Sequence, residues 1–144
     1  MAILAATTGV VLVLIGALHV VWAFSPWPLA TREALARNVV GRPDGTLPLG
    51  FFVPASFAVA AALAAAAYLV AAAADVLPAV LPDVLVTVGV WGVAAVLLGR
   101  GVWGLAESGL RLGAAPATYR RLDLRYYSPL CLALGASAAA VALL

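Results

Sequence analysis

One histidine, one arginine inside an apolar run and two carboxylates further along are the residues whose types could do chemistry in this chain. His19 is followed three positions on by Trp22, so the two share a helical face. Arg100, Trp103, Gly104 and Glu107 follow an i, i+3, i+4, i+7 spacing and share another. Asp123, Arg125, Tyr126, Tyr127 and Ser128 then come in one compact run. Imidazole is a general acid or base suited to neutral pH. A carboxylate from Glu107 or Asp123 would be its partner, and Arg100 would hold negative charge as it develops. Such groups suit isomerisation, cyclisation or hydrolysis without a cofactor. The expected catalytic set is therefore His19, Glu107, Asp123 and Arg100. Trp22, Trp103, Tyr126, Tyr127 and Arg125 are expected to line the substrate.

Other chemistries fit poorly. One His and one Cys cannot build the usual zinc site, so no metal is expected. A haem pair lacks an obvious second axial ligand, and no glycine-rich phosphate loop follows a strand. Ser128 before Pro129 is a weak candidate for Ser-His-Asp chemistry. Cys131 lies in an apolar stretch and reads as a packing residue.

The elements that must position these residues are set by hydropathy. Of the 144 residues, 66% are hydrophobic and only 10% charged, with a mean hydropathy of +1.14. Such a chain needs lipid around it. Four apolar runs stand out: Ile3 to Phe24, Leu49 to Ala74, Val84 to Leu105 and Tyr126 to Leu144. Each is long enough to cross about 30 Å of hydrocarbon as a helix. Continuous hydrophobicity excludes the alternating pattern of barrel strands. The first run lacks a basic leader and is too long for a signal peptide, so it reads as a retained span. The expected fold is all-α, a single four-transmembrane-helix bundle over residues 1–144.

Of eight basic residues, all arginine, Arg32, Arg37 and Arg42 fall in loop one and Arg111, Arg120, Arg121 and Arg125 in loop three, while loop two carries only Asp75 and Asp83. The positive-inside rule puts loops one and three in the cytosol and both termini outside. The net charge of +2 is too small and scattered for a nucleic-acid partner. Within loop one, residues Thr31 to Val40 fit either a short interfacial helix capped by Thr31 or an irregular loop. His19 and Arg100 each lie about 24 Å along their spans, hence at similar depth near the cytosolic boundary. A buried ionisable group costs several kcal/mol unless paired. Arg100 therefore either finds a carboxylate, with Glu107 and Asp123 the candidates, or snorkels to lipid phosphate. His19 is either a working acid–base group or a structural hydrogen bonder.

Two segments read alike. Leu49-Gly50-Phe51-Phe52-Val53-Pro54 matches Leu124-Arg125-Tyr126-Tyr127-Ser128-Pro129, and His19-Val20-Val21-Trp22 matches Arg100-Gly101-Val102-Trp103. The chain is expected to be two parallel-repeat hairpins, unless a biased composition alone produces the likeness. Gly9 and Gly16 in span one, and Gly89, Gly92, Gly99, Gly101 and Gly104 in span three, suit close helix packing and self-association.

His19-x-x-Trp22, Arg100 and above all Asp123-x-Arg125-Tyr126-Tyr127-Ser128-Pro129-Leu130 resemble an uncharacterised family of small bacterial integral-membrane proteins. The resemblance covers nearly the whole chain. It implies bacterial origin and a multi-pass protein of the inner membrane, and it carries no activity. Trp103-Gly104-Leu105 departs from the family's more usual Gly-Asp-Phe. If that Asp normally pairs the arginine, Glu107 could take over here.

Three functional classes remain open. The first is a membrane-embedded acid–base enzyme acting on an apolar or amphipathic small molecule. The second is a non-enzymatic binder or transporter of such a molecule. The third is an assembly subunit of a membrane complex. The clustered His, Arg and carboxylates favour the first.

Overall fold

The computed structural model describes residues 1–143, so Leu144, the expected last residue of the fourth span, lies outside the described residues. Every regular element among the described residues is helical. Helix α1 runs Ala2–Phe24, and its end is set by Ser25 in an extended conformation ahead of Pro26 and Pro28. Trp22 folds the chain back there, its indole N–H donating to the Trp27 carbonyl at 3.0 Å. Helix α2, Arg32–Leu35, starts on Thr31, whose hydroxyl accepts from the Ala34 amide at 3.1 Å. It passes into a wider π-helical turn, Ala36–Val40, closed by Gly41 in the left-handed region at φ 81°. The short helix expected over 31–40 is thus present, not the irregular loop.

Helix α3 spans Leu49–Ala73, with Pro54 early enough that its missing N–H breaks little of the ladder. Helix α4, Asp83–Gly109, outruns the expected end at Leu105 by a full turn. Helix α5, Ala117–Leu122, continues through a second π-turn, Asp123–Tyr127, into α6, Ser128–Ala142. Much of loop three is therefore helix, and the helix leading into the fourth apolar run begins well before Tyr126. The sequence pattern missed this because Arg120, Arg121 and Asp123 interrupt the hydropathy without interrupting the backbone.

Helices α1, α3 and α4 are long and apolar enough to cross a membrane, at 23, 25 and 27 residues. At 1.5 Å rise per residue they reach about 35–40 Å. Large apolar side chains such as Ile3, Phe51, Val96 and Val102 point outward, the inverse of a water-soluble surface. The long helices pack as two hairpins, α1 along α3 and α4 along α6. Helix α3 also meets α4 and α6, and α1 meets α6, but no Cα of α1 comes within 8 Å of one in α4. The cross-section is a rhombus whose short diagonal joins α3 and α6.

Small residues make these pairings close. A Cβ at Gly16 would stand 3.4 Å from the Ala60 carbonyl of α3, and one at Gly135 would stand 2.9 Å from the Leu98 amide of α4. In lipid, where apolar faces gain nothing by meeting, backbone approach of this kind supplies the packing. Gly92 and Gly99 are different, since nothing lies within 4 Å of a Cβ built there. Core side chains fill the space between, with Ala5, Val70, Val90, Ala138 and Val141 packed in one buried cluster.

Candidate functional site

The polar residues of α4, α5 and the second π-turn converge on one carboxylate. Arg100, Gly104 and Ser108 fall four apart along α4 and so line one stripe facing α6. Asp123 opens the π-turn and Ser128 follows it. In a π-turn the amide of residue i+5 reaches the carbonyl of residue i, and the Ser128 N–H indeed donates to the Asp123 carbonyl. That register also aligns their side chains, which five residues apart on an α-helix would diverge. The Ser128 hydroxyl donates to Asp123 Oδ1 at 3.0 Å.

Arg100 Nη2 donates to the same Oδ1 at 2.9 Å and to the Tyr119 hydroxyl at 3.2 Å, while Ser108 donates to Oδ2 at 2.6 Å. Arg100 Nη1 reaches Ser128 Oγ at 3.5 Å. The Asp123 side chain is 1% exposed and that of Arg100 39%. Three donors thus satisfy a buried carboxylate, which is what burial of charge requires. Gly104 makes this geometry available. A Cβ there would collide with Arg100 Nη1 and Ser128 Oγ, and would sit 2.9 Å from Asp123 Oδ2.

A second layer ties this cluster to the first half of the chain. Tyr127 donates its hydroxyl to the Asn38 carbonyl of the first π-turn at 3.1 Å. The Tyr119 and Tyr127 rings lie 6.1 Å apart, and a Cβ on Gly41 would stand 3.3 Å from the Tyr119 ring. Burial pushes the Tyr119 phenol above its ordinary pKa, while the Arg100 guanidinium pulls it down less strongly. Tyr119 therefore stays protonated at neutral pH.

The other expected residues stand apart. His19 bonds through Nδ1 to the Ile15 carbonyl of its own helix at 2.8 Å and meets the edge of Trp22 at 5.0 Å between ring centroids. Because α1 and α4 occupy the long diagonal, His19 and Arg100 do not join one hydrogen-bonded centre. Of the two candidate carboxylates it is Asp123 that pairs with Arg100, while Glu107 shares its helical face but reaches toward the turn at Gly113. Trp103 and Tyr126 are exposed on the outer surface, and Arg125 lies over the Tyr126 ring at 5.5 Å. Ser108 and Tyr119 are both absent from the site residues expected from sequence. The four-residue spacing from Arg100 through a glycine to Ser108 was the available signal for the former.

Residues 12–138 match the family described as a protein of unknown function (DUF3995). The chain belongs to that family. The resemblance noted from the Asp123–Leu130 run is to an uncharacterised family, and this assignment agrees with it. No curated protein and no solved structure matches the chain. In this member of DUF3995 the carboxylate that meets Arg100 comes from the π-turn, and Gly104 leaves the space in which it does so.

Proposed function

We propose that this chain is a four-span protein of the bacterial inner membrane that holds an amphipathic small molecule, its anionic or hydrogen-bond-accepting head against Arg100. The span count rests on α6, an apolar helix lying along α4 and continuous with α5, added to the three long helices. The arginines of loops one and three support a cytosolic placement of that end, with both termini outside.

One observation carries the ligand reading: Arg100 is oriented by Asp123 and Tyr119 yet keeps 39% of its side chain exposed. An arginine whose fork is fixed in advance gives up little freedom when a further acceptor arrives. Retention or carriage of that molecule is favoured over acid–base turnover, because His19 and Glu107 stand outside the hydrogen-bonded cluster.

The test is mass spectrometry of small molecules extracted from chain purified in mild detergent. An acidic amphiphile is expected with the native chain and reduced with Arg100→Lys, which keeps the charge but loses the fork. Absence of any enriched species from a folded native preparation overturns the proposal.

A further inference from the structure

The two halves of the chain treat their arginines differently. In loop one each is occupied. Arg37 pairs with Glu33 at 3.1 Å, Arg42 with Asp44 at 3.0 Å, and Arg32 donates to the Phe24 carbonyl at 2.9 Å. The Arg42 and Thr46 hydrogen bonds hold the Asp44 carboxyl well below the usual carboxylate range, so that pair is closed at neutral pH. In the second half, Arg100 has taken the buried carboxylate of Asp123, and Arg120 donates to the Ala115 carbonyl. Arg111, Arg121 and Arg125 are left; Arg111 stands in the turn after α4, whereas Arg121 and Arg125 share one helical stretch. Both are exposed, and neither makes an ion pair or a side-chain hydrogen bond among the described residues.

These two lie within about one turn of each other on a helical stretch that widens into the π-turn at Asp123, and like charges this near one another repel. The cost disappears when an anion sits between them. The surface beside them is apolar, with Leu124 39% and Tyr126 52% exposed. Arg125 lies over the Tyr126 ring, which holds its guanidinium at that border. An anion seat that merges into apolar surface suits a phosphate carrying its own acyl chains better than a free one.

We propose that Arg121 and Arg125 bind the phosphate of an anionic phospholipid, beside and separate from the Arg100 position. The site lies outside the buried cluster, and its occupant is bulk lipid of the adjacent leaflet rather than a selected small molecule.

The experiment is native mass spectrometry of the full chain released from mixed micelles of phosphatidylglycerol and phosphatidylcholine. The native chain should retain phosphatidylglycerol in preference. Arg121→Gln and Arg125→Gln should each reduce that preference about fivefold, and the double variant more, while size-exclusion elution stays that of the native chain. Arg42→Gln changes net charge equally and should leave the preference intact, because its partner is Asp44. Equal retention of the two lipids overturns the proposal, as does a double variant that keeps the native preference. Displacement of phosphatidylglycerol by equimolar inorganic phosphate overturns it as well, since the site would then read phosphate without the lipid. None of these outcomes depends on what is extracted at Arg100.

Discussion

Arg100 and Asp123 pair at 2.9 Å across an uneven boundary: the carboxylate is sealed and the guanidinium is half open. The unevenness sets what each residue does when changed. Asp123 is satisfied from three sides and its burial closes it to anything arriving from outside. Arg100 is held but not enclosed. One is an anchor, the other the side of the pair that can meet a ligand.

Asp123→Asn should lower thermal stability in detergent by about 2–3 kcal/mol, because it leaves Arg100 without its counter-charge and turns one of the two acceptor oxygens into a donor, facing either Ser108 or the Arg100–Ser128 side. The figure lies below that for a fully buried pair because Arg100 is partly exposed. Joint replacement by Arg100→Met and Asp123→Leu should be milder than either single change, an outcome a double-mutant cycle reads directly.

Gly104→Ala and Gly99→Ala should differ in sign. The first places a methyl among Arg100, Ser128 and Asp123 and should cost about 1–3 kcal/mol. The second fills open space on an exposed face and should gain up to about 1 kcal/mol from helix propensity. Equal melting temperatures for the two variants would contradict the geometry.

Tyr127→Phe removes the hydroxyl that reaches the Asn38 carbonyl and should cost about 1 kcal/mol. Hydrogen exchange should quicken locally, in the amides of 36–41, while the long helices keep native protection. Uniform loss of protection would show that the bond does more than join the two π-turns.

Tyr119 supplies a pH dependence. Its phenol titrates above the ordinary tyrosine range in the folded chain because burial disfavours the phenolate. A folded pKa raised above the unfolded one gives stability that is complete below the unfolded value, about 10, and is lost as pH climbs through the folded one. Tyrosinate absorbance of the native chain should show a late alkaline component that Tyr119→Phe reduces.

His19→Ala should leave retention of the Arg100 ligand unchanged in the extraction assay, since His19 bonds within its own helix. A loss matching that of Arg100→Lys would bring His19 back into the site.

The three long helices and the Thr31 cap were legible in the residues, because hydropathy and capping are local. Which faces meet was not. In a water-soluble helix the polar face marks the outside, but here Val96 facing outward and Val90 facing inward are chemically the same. The opposition of His19 and Arg100 failed on that account: matched depth does not say which corner of the bundle each helix takes. The π-turn was hidden too. Asp123-Leu124-Arg125-Tyr126-Tyr127 reads as an ordinary helical run until the Ser128 amide is seen to skip back five residues.

That skip adds one residue to a helix that would otherwise close without it. Removing Leu124, Arg125 or Tyr126 would restore regular winding and rotate everything before it by roughly 100° relative to α6. Asp123 would swing off the Arg100 stripe while the downstream apolar helix stayed seated. A one-codon deletion could thus open the polar centre without touching the hydrophobic packing, leaving a well-folded chain from which only the lock had been taken.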